Sequence, residues 1–152
     1  MMTKDEILDA AAQIFRIKGY HATSMSDIAG AVNLQKASLY HHVSSKQEIL
    51  LNLLDQALEL LSGELIGIVR DKKLLPDEKL RLMMETYLKA LTEHFDLATV
   101  LLMEHRSLDP ELHARHVPNR DRFESLWRDV VSEGMEKGVF CCVETSLAVR
   151  NL

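Results

Sequence analysis

The stretch that most constrains the fold is residues 23–49, Thr-Ser-Met-Ser-Asp-Ile-Ala-Gly-Ala-Val-Asn-Leu-Gln-Lys-Ala-Ser-Leu-Tyr-His-His-Val-Ser-Ser-Lys-Gln-Glu-Ile. It reads as two short helices joined by a tight turn, with a third helix starting at once. Ser24-x-x-Asp27 has the spacing of a capping box, with Asp where Glu or Gln is usual. It opens a helix whose Ile28, Ala29 and Val32 form one buried face, with Ala29 small enough for a close helix crossing. Asn33-Leu34 ends it, because Asn tolerates the left-handed conformation of a tight turn. Leu34 is the apolar plug that ties this turn to the core. The spacing then predicts a helix over 35–43, with Ala37 and Leu39 inward and Gln35, Lys36, Ser38, Tyr40 and His41 outward. Ser44 or Ser45 caps the next helix, and Lys46 falls in its first turn.

The second helix carries small, polar and aromatic residues where a core helix would carry leucines. A helix of this kind packs on one face and leaves the other free to meet DNA. Gln and Lys hydrogen-bond base edges, Lys and Ser bind phosphates, and a Tyr hydroxyl reaches a phosphate oxygen. A cation at Lys46 is unfavourable by helix-dipole logic and makes sense beside a phosphate at the helix N-terminus. The expected DNA face is therefore Gln35, Lys36, Ser38, Tyr40, His41 and Lys46. Gln35 would read bases, and Thr23 or Ser24 would anchor a phosphate.

Residues 5–50 resemble the N-terminal domain of the TetR (tetracycline repressor) family of bacterial transcription regulators. The matching residues are Ile7, Ala10, Ala11, Phe15 and Gly19-Tyr20, then Thr23 and Asp27-Ile28-Ala29. Lys36-Ala37-Ser38-Leu39-Tyr40-His41-His42-Val43 and Ser45-Lys46-Gln47-Glu48 follow. Departures are Asn33-Leu34, where members carry a small residue and Val or Ile, Gln35 for Ser, Ala37 for Gly, and Val43 for Phe. The resemblance implies a helix-turn-helix head over 1–46 and a helical effector-binding and dimerisation body over 47–152. It implies a repressor that binds a palindromic operator as a homodimer and is released by a small apolar effector. Residues 104–140 resemble a branch of the family that includes lipid- and acyl-CoA-responsive repressors.

Composition agrees with an all-α fold. Proline is scarce at 3 and glycine low at 6 in 152 residues, and no alternating strand pattern occurs. No apolar run is long enough to span a membrane, and the N-terminus lacks signal-peptide character, so the cytoplasm is the expected compartment. The formal net charge is −5. The excess is uneven: residues 1–46 hold five Lys/Arg and four Asp/Glu, whereas residues 47–152 hold thirteen and nineteen. The positive field of the head must come from a few placed cations.

The body reads as a series of helices. The first, Gln47 to about Arg70, is apolar on more than one face and connects head to body. Pro76 sits in the first turn of a helix over 77–93, and Asp96 caps another. Asp109-Pro110 starts a further one, which Pro118 kinks or restarts. Residues 119–137 carry Phe123, Leu126, Trp127, Val130, Val131 and Met135 on one stripe, and Gly138 ends them, with Val139-Phe140 tucking back. Met84, Tyr87, Leu88, Met103, Phe123 and Trp127 are the expected lining of an adaptable apolar effector pocket.

Other chemistries are poorly supported. There is no Gly-rich phosphate loop, nucleophile motif, HExxH pattern or paired carboxylate spacing, so neither an enzyme nor a cofactor is expected. His113-x-x-His116, with His105 nearby, lacks a second metal motif and reads as a solvated, partly capping cluster. Cys141-Cys142 read as small, half-buried residues. A helical protein-interaction module is the competing reading, but the outward face of 35–41 has too few apolar anchors for it. Residues 144–152 read as the first turns of a dimerisation helix cut off in mid-pattern. With that helix incomplete, the apolar face near Trp127 and Val131 is expected to be exposed.

Overall fold

The computed structural model describes residues 3–141 and Glu144. The described residues form helices α1 (Lys4–Lys18), α2 (Met25–Ala31), α3 (Lys36–Leu39), α4 (Lys46–Arg70), α5 (Pro76–Glu93), α6 (Phe95–Glu104) and α7 (Pro110–Glu136). A 3₁₀ turn, His105–Ser107, lies between the last two. The all-α expectation holds among these residues. The expected final helix over 144–152 lies outside the described residues apart from Glu144, and so does Cys142; Cys141 is exposed.

The chain divides into two compact units, residues 1–57 with 94–117 and residues 58–93 with 118–152. This division differs from the boundary at 46/47, because the first turns of α4 share a core with the head. In the first unit, Ile7, Ala11 and Phe15 of α1, Ile28 and Ala29 of α2, Leu39 of α3, and Ile49, Leu50, Leu53 and Leu54 of α4 form one cluster. Val100, Leu108 and Leu112 complete it. Thr3 and Glu6 form a full capping box at the start of α1, and Gly19 closes its end at φ 85°. The box read at Ser24 and Asp27 is present, and Asn33 takes φ 54°. Leu34 packs on the cluster, as its place in the turn predicts.

Three local expectations change. Asp96 does not cap α6; His94 stands at the N-cap, and Asp96 lies in the first turn, where it pairs with Arg16 of α1. Pro118 does not interrupt α7, which runs through it. The carbonyl that loses a partner there belongs to Ala114, and both residues are exposed, so water can satisfy it. His116 is not solvated: it is buried, with Nδ1 2.7 Å from Asp55 Oδ1 of α4.

The second unit has its own core of Leu65, Met83, Trp127 and Val130. Trp127 and Val131 are buried within the chain, against the expectation of an exposed face. Lys79 is also buried there and donates to Glu133 at 2.7 Å, so its charge is compensated. At the end of α7, Gly138 takes φ 68°, and the Val139 and Phe140 N–H groups donate to the Gly134 carbonyl at 2.8 and 3.0 Å. This closure folds the Phe140 ring onto Gly134, where a Cβ would run into it. Gly134→Ala is therefore expected to destabilise the protein by about 1–3 kcal/mol. Thermal unfolding checks this, and Phe140→Ala in the same chain should restore part of the loss.

Candidate functional site

α3 is shorter than the pattern over 35–43 suggests. After Leu39 the chain tightens: His41 N–H donates to the Ser38 carbonyl at 3.1 Å and His42 N–H to the Leu39 carbonyl at 3.0 Å. These are i→i+3 bonds of a turn, and they end the helix. Leu39 is fully buried and fixes α3 to the core. Gln35, Lys36, Tyr40 and His41 are exposed, and Ser38 is half-buried. Gln35 is the N-cap, but its side chain makes no capping bond. Ala37, expected inward, is exposed: it sits two residues from Leu39, on the opposite side of the helix.

Three of the residues expected to touch DNA are already engaged within the head. Thr23 is buried, and its hydroxyl donates to the Gly19 carbonyl at 2.7 Å. Ser24 is exposed at the start of α2, but its Oγ is held in the capping box with Asp27. Lys46 is half-buried; its Nζ donates to the Tyr20 and Thr23 carbonyls at 2.9 and 2.8 Å and lies 4.4 Å from the centre of the Tyr20 ring. An ammonium has three donors, so one remains for an outside acceptor. From sequence, Lys46 reads as a cation placed for a phosphate. A signal for the internal role exists all the same: a Lys in a first helical turn needs acceptors, and carbonyls serve as well as phosphates.

Further bonds hold the same corner. The segment Glu104–Asp109 reaches it on two sides. Tyr20 N–H donates to Glu104 Oε1 at 3.3 Å, and Ser107 Oγ donates to Glu104 Oε2 at 2.9 Å. Gln47 donates to the Ser107 carbonyl at 2.9 Å and accepts from Asp109 N–H at 3.0 Å. Burial, with Asp109 and Glu104 near, pushes the Tyr20 phenol above its ordinary value. These links are not legible in the sequence, because nothing in local spacing pairs Gln47 with residues about sixty positions away. Lys18 is paired with Asp27 and Arg16 with Asp96, and among the described residues Lys36 joins none of the head's ion pairs.

The six residues expected to line an effector pocket do not gather at one place. Tyr87, Phe123 and Trp127 pack together in the second unit, with ring centres 5.8–6.3 Å apart. Met84 and Leu88 instead point outward and line an open groove of about 430 Å³ with Leu80, Arg81 and Phe140. Met103, at 71% exposure, belongs to the first unit. The spacing of the helical stripes does not separate these, since α5 carries apolar residues on two faces. Among the described residues no group of His, Cys, Asp and Glu is placed to hold a metal ion. Nor, among them, is any helix long and apolar enough to cross a membrane.

Comparison with known proteins covers both parts of the chain. Residues 7–53 match the "Bacterial regulatory proteins, tetR family" domain, and residues 73–152 match the "Tetracyclin repressor-like, C-terminal domain". The transcriptional repressor KstR2 of Mycobacterium tuberculosis is 30% identical over 138 residues, spanning 90% of this chain and 68% of that one. The TetR family regulator PfmR of Thermus thermophilus superposes with TM-score 0.88 at 38% identity, covering 99% of this chain and 80% of that one. AibR, solved with isovaleryl coenzyme A and operator DNA, superposes with TM-score 0.88 at 26% identity over 97% of this chain and 80% of its own.

Two outcomes follow from the head's internal bonds. Lys46→Met strips two carbonyls of a charged donor and is expected to cost about 1–3 kcal/mol, measured by chemical denaturation. Asp27 is held well below the ordinary carboxylate value by Lys18, by the Ser24 N–H and by the Ser24 hydroxyl. Its folded value thus lies below its unfolded one, so its contribution is complete above the unfolded value and fades as pH falls through that range. Asp27→Asn should lose less melting temperature than the natural chain between about pH 6 and about pH 3. Equal losses would contradict this reading of Asp27.

Proposed function

Because this chain belongs to the TetR family of bacterial transcription regulators, we propose that it is a ligand-responsive repressor of operator DNA. Residues 1–46 are the DNA-binding domain, and residues 47–152 bind the effector and a second copy of the chain. The observation that carries this reading is the form of α3: Leu39 is sealed into the core while Gln35, Lys36, Tyr40 and His41 stand exposed. A helix anchored by one leucine and polar elsewhere suits insertion into a major groove. Gln35 and Lys36 face base edges, and Ser38, Tyr40 and His41 face the backbone. Ser24 lies at the start of α2 for a phosphate. Thr23 and Lys46 act from behind by fixing the corner, and the third Lys46 donor is available to a phosphate. Two heads about one helical turn apart would read a two-fold site, which compensates for the weak charge of a single head.

The effector site is the aromatic cluster Tyr87, Phe123 and Trp127 of the second unit. AibR supports an acyl-CoA, since that relative was solved with one and with operator DNA. α4 carries Lys46 at its start and Leu65, a member of the second core, further on. A change of packing at Leu65 therefore has a continuous helix along which to reach Lys46. An effector that binds one arrangement better than the other shifts the operator affinity by that difference and no more. The compartment is the cytoplasm, where operator DNA is found, and no catalysis is involved.

The test is a gel shift with duplexes from the region upstream of the chain's own gene. A retarded complex that isovaleryl coenzyme A dissolves is the expected result; absence of any sequence-preferring complex contradicts the proposal. Lys36→Ala is expected to weaken binding and lower the salt slope by about one. Gln35→Ala is expected to change sequence preference instead. Trp127 is the only tryptophan, so its emission should respond to the effector directly.

A further inference from the structure

Ala37 is an exposed methyl group in the middle of an otherwise polar face. Successive residues of a helix are about 100° apart, so Ala37 lies about 200° from Leu39, close to diametrically opposite. Leu39 is the residue that fixes α3 to the core. Ala37 is therefore near the apex of the outward face, with Lys36 and Tyr40 beside it. A side chain this short brings the helix backbone close to whatever the face touches. It offers no hydrogen bond, so it cannot recognise a donor or acceptor. In the major groove one base presents an apolar group, the C5-methyl of thymine.

We propose that Ala37 reads a thymine in each half of the operator through contact between its Cβ and the thymine C5-methyl. The proposal rests on the reading of α3 as the element that enters the major groove. It assigns to Ala37 a specificity that polar neighbours cannot supply. Gln35 and Lys36 select by hydrogen bonds, and Ala37 selects by the presence of one methyl group.

The experiment removes that methyl from the DNA. A duplex is selected from randomised sequences with the 152-residue chain, and each dT is then replaced singly by dU. Affinity is read by fluorescence anisotropy at one fixed salt concentration. The expected result is one position in each half-site where dU weakens binding about threefold to fivefold, the cost of a lost buried methyl. Ala37→Gly should bind more weakly to the dT duplex and show no difference between dT and dU there. Ala37→Ser, which keeps the Cβ and helical order, should retain the difference between dT and dU; circular dichroism checks that both fold. If no dU substitution matters, or if folded Ala37→Gly keeps the same sensitivity, the Ala37 assignment is overturned while the DNA-binding reading stands. If no duplex is enriched at all, both are overturned.

Discussion

The head depends on the Lys46 ammonium. It closes the corner between the α1–α2 turn and the start of α4 by donating to the Tyr20 and Thr23 carbonyls and lying over the Tyr20 ring. Those carbonyls lie on buried residues in a turn, where unmet hydrogen-bonding capacity would be costly. An apolar side chain of the same length could fill the space but donate to neither oxygen, and the Tyr20 carbonyl would keep only the Thr23 N–H. With the corner closed, Thr23 can bond back to Gly19, and Ser24 can cap α2. α2 then positions the Asn33 turn, and the turn presents α3. The orientation of the exposed face is thus inherited from a half-buried charge–carbonyl contact at the other end of the motif.

Much of this was legible in the sequence because the signals are local. The Ser24–Asp27 box, the left-handed Asn33, the Leu34 plug, Pro76 at a helix start and Gly138 at a helix end each follow from the conformational limits of a few neighbouring residues. What could not be read were contacts set by the fold. Lys46 looks like a cation placed for a phosphate until Tyr20 and Thr23 are brought to it. His116 looks solvated until Asp55 of α4 faces it at 2.7 Å. Ala37 looks like packing because it is small and apolar, yet its position relative to Leu39 turns it outward. The six-residue pocket does not form for a related reason: α5 is apolar on two faces, and spacing does not say which face is covered.

The two ways of dividing the chain have different physical meanings. The proposed function divides it near residue 46, where the proposed DNA face ends. Packing divides α4 after Ala57, because Ile49, Leu50, Leu53 and Leu54 belong to the core of the head. Residues 94–117 also belong to that first unit, where Glu104, Ser107 and Asp109 bond to Tyr20 and Gln47. The head is therefore supported by a segment distant in sequence.

The most direct test of the account is methylation interference on a duplex that the chain selects. Guanine N7 lies in the major groove and adenine N3 in the minor groove, so the two products report the grooves separately. The account predicts interference by N7 methylation in two clusters about one helical turn apart, with little effect of N3 methylation. Interference confined to adenine N3, or a single cluster with no two-fold mate, would contradict recognition by α3 in the major groove of a two-fold site.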